Sequence, residues 1–267
     1  MDYEQIKMDV DDGIATLTLN RPERMNAWTG QMSQELGHAV QACNDDSSIG
    51  AIIVTGEGRG FCAGLDIEQG FKARLDGQSA DTEEPASTNW VSVVRDAKPM
   101  IAAVNGAAVG IGVTMMLPMD VIVASEQAKF ALAFVRMGLV PELASSHFLV
   151  QRLGFGAANE MCLTGRLYPA AEAHELGLVD HVVPADELMS KARELAGLMA
   201  ANPSNQARWI KQLLTTNGSA TDLNAVMARE GEMLQKAFAT PEHKEAVNAF
   251  LEKRPPDFAA VAAREND

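Results

Sequence analysis

Residues 101–124, IAAVNGAAVGIGVTMMLPMDVIVA, carry one charged side chain, Asp120. The pattern predicts a strand over 100–104, a helix over 110–117 that opens on glycines, and a strand over 120–124. A run this apolar is either a membrane span or the inside of a domain. Asn105, Pro118, Asp120 and the helix-breaking glycines decide for the inside. With so few functional side chains, any site built on this segment must use its backbone. N–H groups at a helix start near Gly110 would face a negatively charged or polarised group. A second glycine-rich turn, GEGRGFCAG at 56–64, follows the apolar run 51–55. Two such turns could direct two main-chain donors at one oxygen, the layout of an oxyanion hole.

Elsewhere, alternation over 5–10 and 14–19 around Asp11–Gly13 predicts a hairpin. Met32, Leu36, Ala39, Val40 and Cys43 predict a helix over 29–43 with Thr29 as its cap. Residues 69–90 are polar and acidic and read as a loop able to act as a lid. Helices are expected over 91–97, from Pro141 to about Arg152, over 156–164 and over 169–176, with a strand over 178–183. The segments 186–201, 204–216, 221–238 and 242–253 are all helical in pattern. The expectation is an α/β core over 1–195, made of stacked strand-strand-helix units, and a helical region over 196–267.

A formal net charge of -14 and the lack of any basic run argue against a nucleic-acid surface. Cys43, Cys62 and Cys162 are too scattered for a disulfide framework or a metal site and fit a reducing compartment. The acidic start without an apolar stretch, and the AREND ending, predict a cytoplasmic protein. The glycine turns do not follow the G-x-G-x-x-G order of a dinucleotide site. Ser145, Ser146 and His147 are adjacent on one predicted helix and do not face one another, and His38, His174, His181 and His243 read as structural. Glu142 stays open to two readings. It follows Pro141, so it could complement a helix N-terminus. It also lies among Met137, Leu139, Val140 and Leu143, surroundings that suit a proton-carrying base.

Four segments in order, NRPERMNAW (20–28), GRGFCAGLDI (59–67), AAVNGAAVGIGVTMMLPMDVIVASEQAKF (102–130) and AFLEKRPPDF (249–258), resemble the crotonase (enoyl-CoA hydratase/isomerase) superfamily. The resemblance implies a spiral of ββα units, a C-terminal trimerisation region, and assembly as a trimer or a dimer of trimers. It implies an acyl-CoA thioester as substrate, with coenzyme A part of that substrate and no separate cofactor or metal. It puts the thioester oxygen on the N–H groups of Ala63 and Ile111, beside Gly110. Arg24, the backbone of Ala63, Gly64, Leu65, Asp66 and Ile67, and Lys253 would lie along the CoA. Hydratases of this superfamily use two glutamates, at the positions held here by Thr114 and Phe134. The stretch LVPELASS is similar instead to peroxisomal-type Δ3,Δ2-enoyl-CoA isomerases, whose single glutamate corresponds to Glu142, with Leu143 where glycine is usual. An isomerase is therefore expected, with a hydratase or a non-catalytic acyl-CoA-binding protein as alternatives.

Overall fold

The computed structural model describes residues 2–68, 89–258, 260 and 261. The hairpin forms as expected: β1 (Ile6–Asp11) pairs antiparallel with β2 (Ile14–Leu19). Helix α1 (Gly30–Asp45) follows, and Thr29 caps it by accepting from the Met32 N–H. Then come β3 (Ala51–Gly56), the short β4 (Gly60–Cys62), α2 (Trp90–Asp96) and β5 (Met100–Val104). Asn89 and Trp90 thus belong to the capped start of α2, and the rest of the expected lid lies outside the described residues. Next are β6 (Ala107–Val109), α3 (Ile111–Thr114), β7 (Val121–Ser125), β8 (Lys129–Ala131), α4 (Ser145–Thr164), β9 (Tyr168–Pro169), α5 (Ala170–Glu175) and β10 (His181–Val183). Four helices end the described chain: α6 (Leu188–Ala200), α7 (Ser204–Asn217), α8 (Leu223–Phe238) and α9 (Pro241–Glu252).

The strands form two sheets. The larger runs β1-β2-β3-β5-β7-β10 and is parallel from β2 onward; the smaller runs β4-β6-β8-β9. Both faces of the larger sheet are covered, which is why its central strands read as unbroken apolar runs. Side chains alternate between faces. Ile14, Ile53, Ile101 and Val123 pack under Leu188, Ala192 and Ala196 of α6. Leu17, Ile52, Val54, Ala102 and Ile122 point the other way, into the cluster shared with α1 and the smaller sheet. Trp28 and Trp90 meet edge to face at 5.9 Å inside that cluster, and the Trp90 indole donates to the Met115 carbonyl at 2.7 Å.

The boundary expected at residue 195 falls inside α6, which stays against the sheet through Ala196. Beyond it, α7 is fastened by a buried charge cluster. Lys211 pairs with Asp120 at 2.9 Å and donates to the carbonyls of Val94 and Lys98, while Arg95 reaches the other Asp120 oxygen at 2.8 Å. No helix among the described residues is long and apolar enough to cross a membrane.

Candidate active site

The two glycine turns converge. The turn over 56–64 contains β4, and its end lies against the segment from Val109 to Gly112. A Cβ on Gly112 would sit 2.1 Å from the Cys62 carbonyl oxygen, and one on Gly64 would be 3.3 Å from that of Val109. No side chain fits at Gly112, so the close approach requires glycine there. Gly110 has φ 54 and ψ -117, a conformation L residues avoid.

The helix expected over 110–117 is a single turn, α3, followed by turns to Pro118. Residues 107–109 go instead to β6 of the smaller sheet. A turn this short carries little macrodipole, so whatever the site offers an oxygen comes from individual N–H groups. The amides of Ile111 and Gly112 donate to no acceptor among the described residues. Ala63 differs from expectation: its N–H already donates to the Met25 carbonyl at 3.0 Å. The segment NRPERMNAW explains this. Met25 and Asn26 both have positive φ. The buried Asn26 amide donates to the carbonyls of Glu57 and Gly60 while its oxygen accepts from the Arg21 N–H. That stapling presses the Met25 carbonyl onto Ala63.

The helix expected to open at Pro141 starts only at Ser145. Leu143 (φ 54) and Ala144 (φ 53) are left-handed, and the Ser145 N–H closes onto the Glu142 carbonyl at 3.0 Å. Positive φ at both central positions is the signature of a type I′ turn, which favours Asn-Gly; Leu-Ala costs on the order of 1–2 kcal/mol per residue. Glu142 therefore lies outside the helix, and the macrodipole reading falls away. The apolar enclosure read from its sequence neighbours also fails, since Met137, Leu139 and Val140 are exposed and so is Glu142.

Its carboxylate is nonetheless anchored inward. Thr114, fully buried, places its hydroxyl 2.8 Å from Glu142 Oε1. Cys62 is close enough for the Glu142 charge to act on it. Burial is the main cause that pushes the Cys62 thiol up to about 12, with Glu142 adding to it. Phe134 sits in a short 3-10 segment, its ring edge 3.9 Å from the Cβ position of Gly110. Three chain segments far apart in sequence thus meet: the end of β4, the α3 turn, and the turn before α4.

A family model described as enoyl-CoA hydratase/isomerase matches residues 9–261. The chain belongs to that family. An enoyl-CoA hydratase of Alternaria alternata is 36% identical to it over 249 residues, 92% of this chain and 83% of that protein. A 1,2-epoxyphenylacetyl-CoA isomerase of Escherichia coli is 34% identical over 266 residues, 96% of this chain and 98% of that one. The crystal structure of an enoyl-CoA hydratase from Polaromonas sp. JS666 superposes with a TM-score of 0.85 at 31% identity, covering 94% of this chain and 98% of the other. The α/β fold is that of the crotonase superfamily.

The other residues expected along a family ligand are mostly engaged. Arg24 pairs with Glu68 at 2.6 Å on the surface. Asp66 is buried on Arg21 at 2.9 Å, and its N–H donates to the Trp28 carbonyl at 2.9 Å. Leu65 is partly buried, Ile67 is exposed, and Lys253 ends α9 with φ 55. The Met25 carbonyl and Cys62 had no signal in the sequence that tied them to the site.

Proposed function

We propose that this enzyme of the enoyl-CoA hydratase/isomerase family moves a double bond from C3 to C2 of an acyl-CoA, with Glu142 as its one proton carrier. Glu142 takes a proton from C2, the electrons delocalise over C2 to C4 and the thioester oxygen as a dienolate, and Glu142 returns the proton at C4. The Ile111 N–H supplies the open donor to that oxygen. Ala63 supplies the second by sharing its hydrogen between Met25 and the ligand, as three-centre bonds do. These donors act on charge that develops in the transition state, so they lower the barrier and do more than tighten binding.

The observation carrying this reading is the Glu142 carboxylate, which accepts a hydrogen bond from the hydroxyl of the buried Thr114 at 2.8 Å. Where the resemblance implies two glutamates for hydration, the chain has Thr114 and Phe134, neither able to activate water. The Escherichia coli relative is named for an isomerisation. Other relatives are named hydratases, which makes hydration through Glu142 the second reading.

For the CoA portion we propose the backbone of Ala63 to Ile67, with Arg24 exchanging Glu68 for a ligand phosphate and Lys253 lying nearby. Exposed Leu223, Met227, Leu234, Phe238, Phe250 and Leu251 on α8 and α9 support association of copies as a trimer or a dimer of trimers. Initial rates with matched 3-enoyl- and 2-enoyl-CoA test the assignment. Isomerisation outpacing hydration is expected; the reverse order overturns it.

A further inference from the structure

We infer that Thr114 is the positioning residue that makes Glu142 a competent base: its buried hydroxyl donates to Oε1 and fixes the direction of the carboxylate. This rests on the reading of Glu142 as the proton carrier and adds what keeps that carrier in place. Three observations carry it. Glu142 is exposed and belongs to no helix, and the strained Leu143–Ala144 turn fixes its backbone but not its side chain. Thr114 is fully buried and β-branched, so its hydroxyl is confined, and it reaches Oε1 at 2.8 Å. Its other oxygen neighbour, the Ile111 carbonyl, is at 3.5 Å, which leaves Glu142 as the better acceptor.

The placement also couples the base to the donor. Ile111 and Thr114 are the first and last residues of one helical turn, three apart and therefore on one side of it. The same rigid turn presents the open Ile111 amide and holds the carboxylate, so the oxygen site and the base keep a fixed separation. A hydroxyl suits this role better than a second acid. Two carboxylates at this distance would share one proton, and that hydrogen bond would lower the basicity of the remaining anion. A neutral hydroxyl donor aims the carboxylate without placing a second charge beside it.

The test is exchange of the C2 protons of butyryl-CoA in D2O, followed by NMR, which reads the base and the oxygen site without requiring isomerisation or hydration. Thr114→Val keeps the shape and removes the hydroxyl, and Thr114→Ser keeps the hydroxyl. The maximal exchange rate is expected to fall about 10- to 100-fold in Thr114→Val, the loss of one hydrogen bond to a charged group, with KM for butyryl-CoA little changed. Thr114→Ser should recover most of the rate. Should Thr114→Val fail to fold, Thr114→Ala takes its place against the same serine control. Wild-type rate in the hydroxyl-free variant, or equal loss in Thr114→Ser, overturns the inference while leaving Glu142 as base. No exchange in the wild type, or full exchange in Glu142→Gln, fails the base assignment itself and the inference with it.

Discussion

The six-stranded sheet is held by side chains, whereas around the four-stranded sheet the chain approaches itself too closely for side chains. In the first, Ile14, Ile53, Ile101 and Val123 fill the space beneath α6. In the second, added Cβ atoms on Gly106 and Gly112 would lie 2.1 Å from the carbonyls of Arg59 and Cys62, and one on Gly56 would lie 2.4 Å from that of Gly60. The difference divides the labour of the molecule. Volume and hydrophobic burial give stability, and bare backbone brought into register gives the open amides beside Glu142. A stability lesion and a catalytic lesion should therefore be separable by region.

The largest separation is expected from Glu142→Gln. It should lower turnover about 10²- to 10⁴-fold, the usual worth of a positioned general base, with the melting temperature nearly unchanged. A comparable fall in melting temperature would mean that the residue serves the fold. Next comes Ile53→Ala under α6, which should cost about 2–5 kcal/mol in urea unfolding while activity per folded molecule stays at the wild-type level. Gly112→Ala should do both: about 1–3 kcal/mol from overpacking, and a loss of turnover out of proportion to that cost, because the Cys62 and Ile111 backbones are forced apart. Activity equal to that of Ile53→Ala would refute a site made of backbone.

Leu143→Gly should be smaller and opposite in sign. Removing a left-handed leucine relieves strain, partly offset by the greater freedom of glycine in the unfolded chain, for a net gain of roughly 1 kcal/mol or less. Calorimetry of the pair decides it. Smallest at neutral pH is the effect of Cys62. Burial pushes its thiol from the ordinary thiol range up to about 12, so the folded state holds the proton that the unfolded state releases. This contribution is fully present below pH ~9 and is lost as pH rises from there toward ~12. Unfolding free energies between pH 8 and 11 should fall less steeply in Cys62→Ala than in the wild type.

The same contrast explains how far the sequence could be read. Strands β2, β3, β5 and β7 announce themselves because both faces are buried and each has five or six residues. Strands β4, β6, β8 and β9 have two or three residues each, too few to show any period in the sequence. The start of α4 is hidden in the sequence because Leu143 and Ala144 take a conformation usually reserved for glycine or asparagine. Glu142 stands out in the sequence through its motif, as a candidate. Its hydrogen bond to Thr114, 28 residues earlier in the chain, depends on two turns meeting in space, which no local pattern encodes. The glycine turn around Ala63 is legible in the sequence, whereas the Met25 carbonyl on its amide is encoded by no local pattern.

One measurement bears most directly on a lone carboxylate carrying one proton between two carbons. A 3-enoyl-CoA deuterated at C2 is converted in ordinary water, and the 2-enoyl product is read for deuterium at C4 from the earliest turnovers. Transfer by Glu142 predicts that part of the label arrives at C4 in the wild type and that turnover itself collapses in Glu142→Gln. Deuterium reaching C4 in Glu142→Gln at the wild-type rate would contradict it.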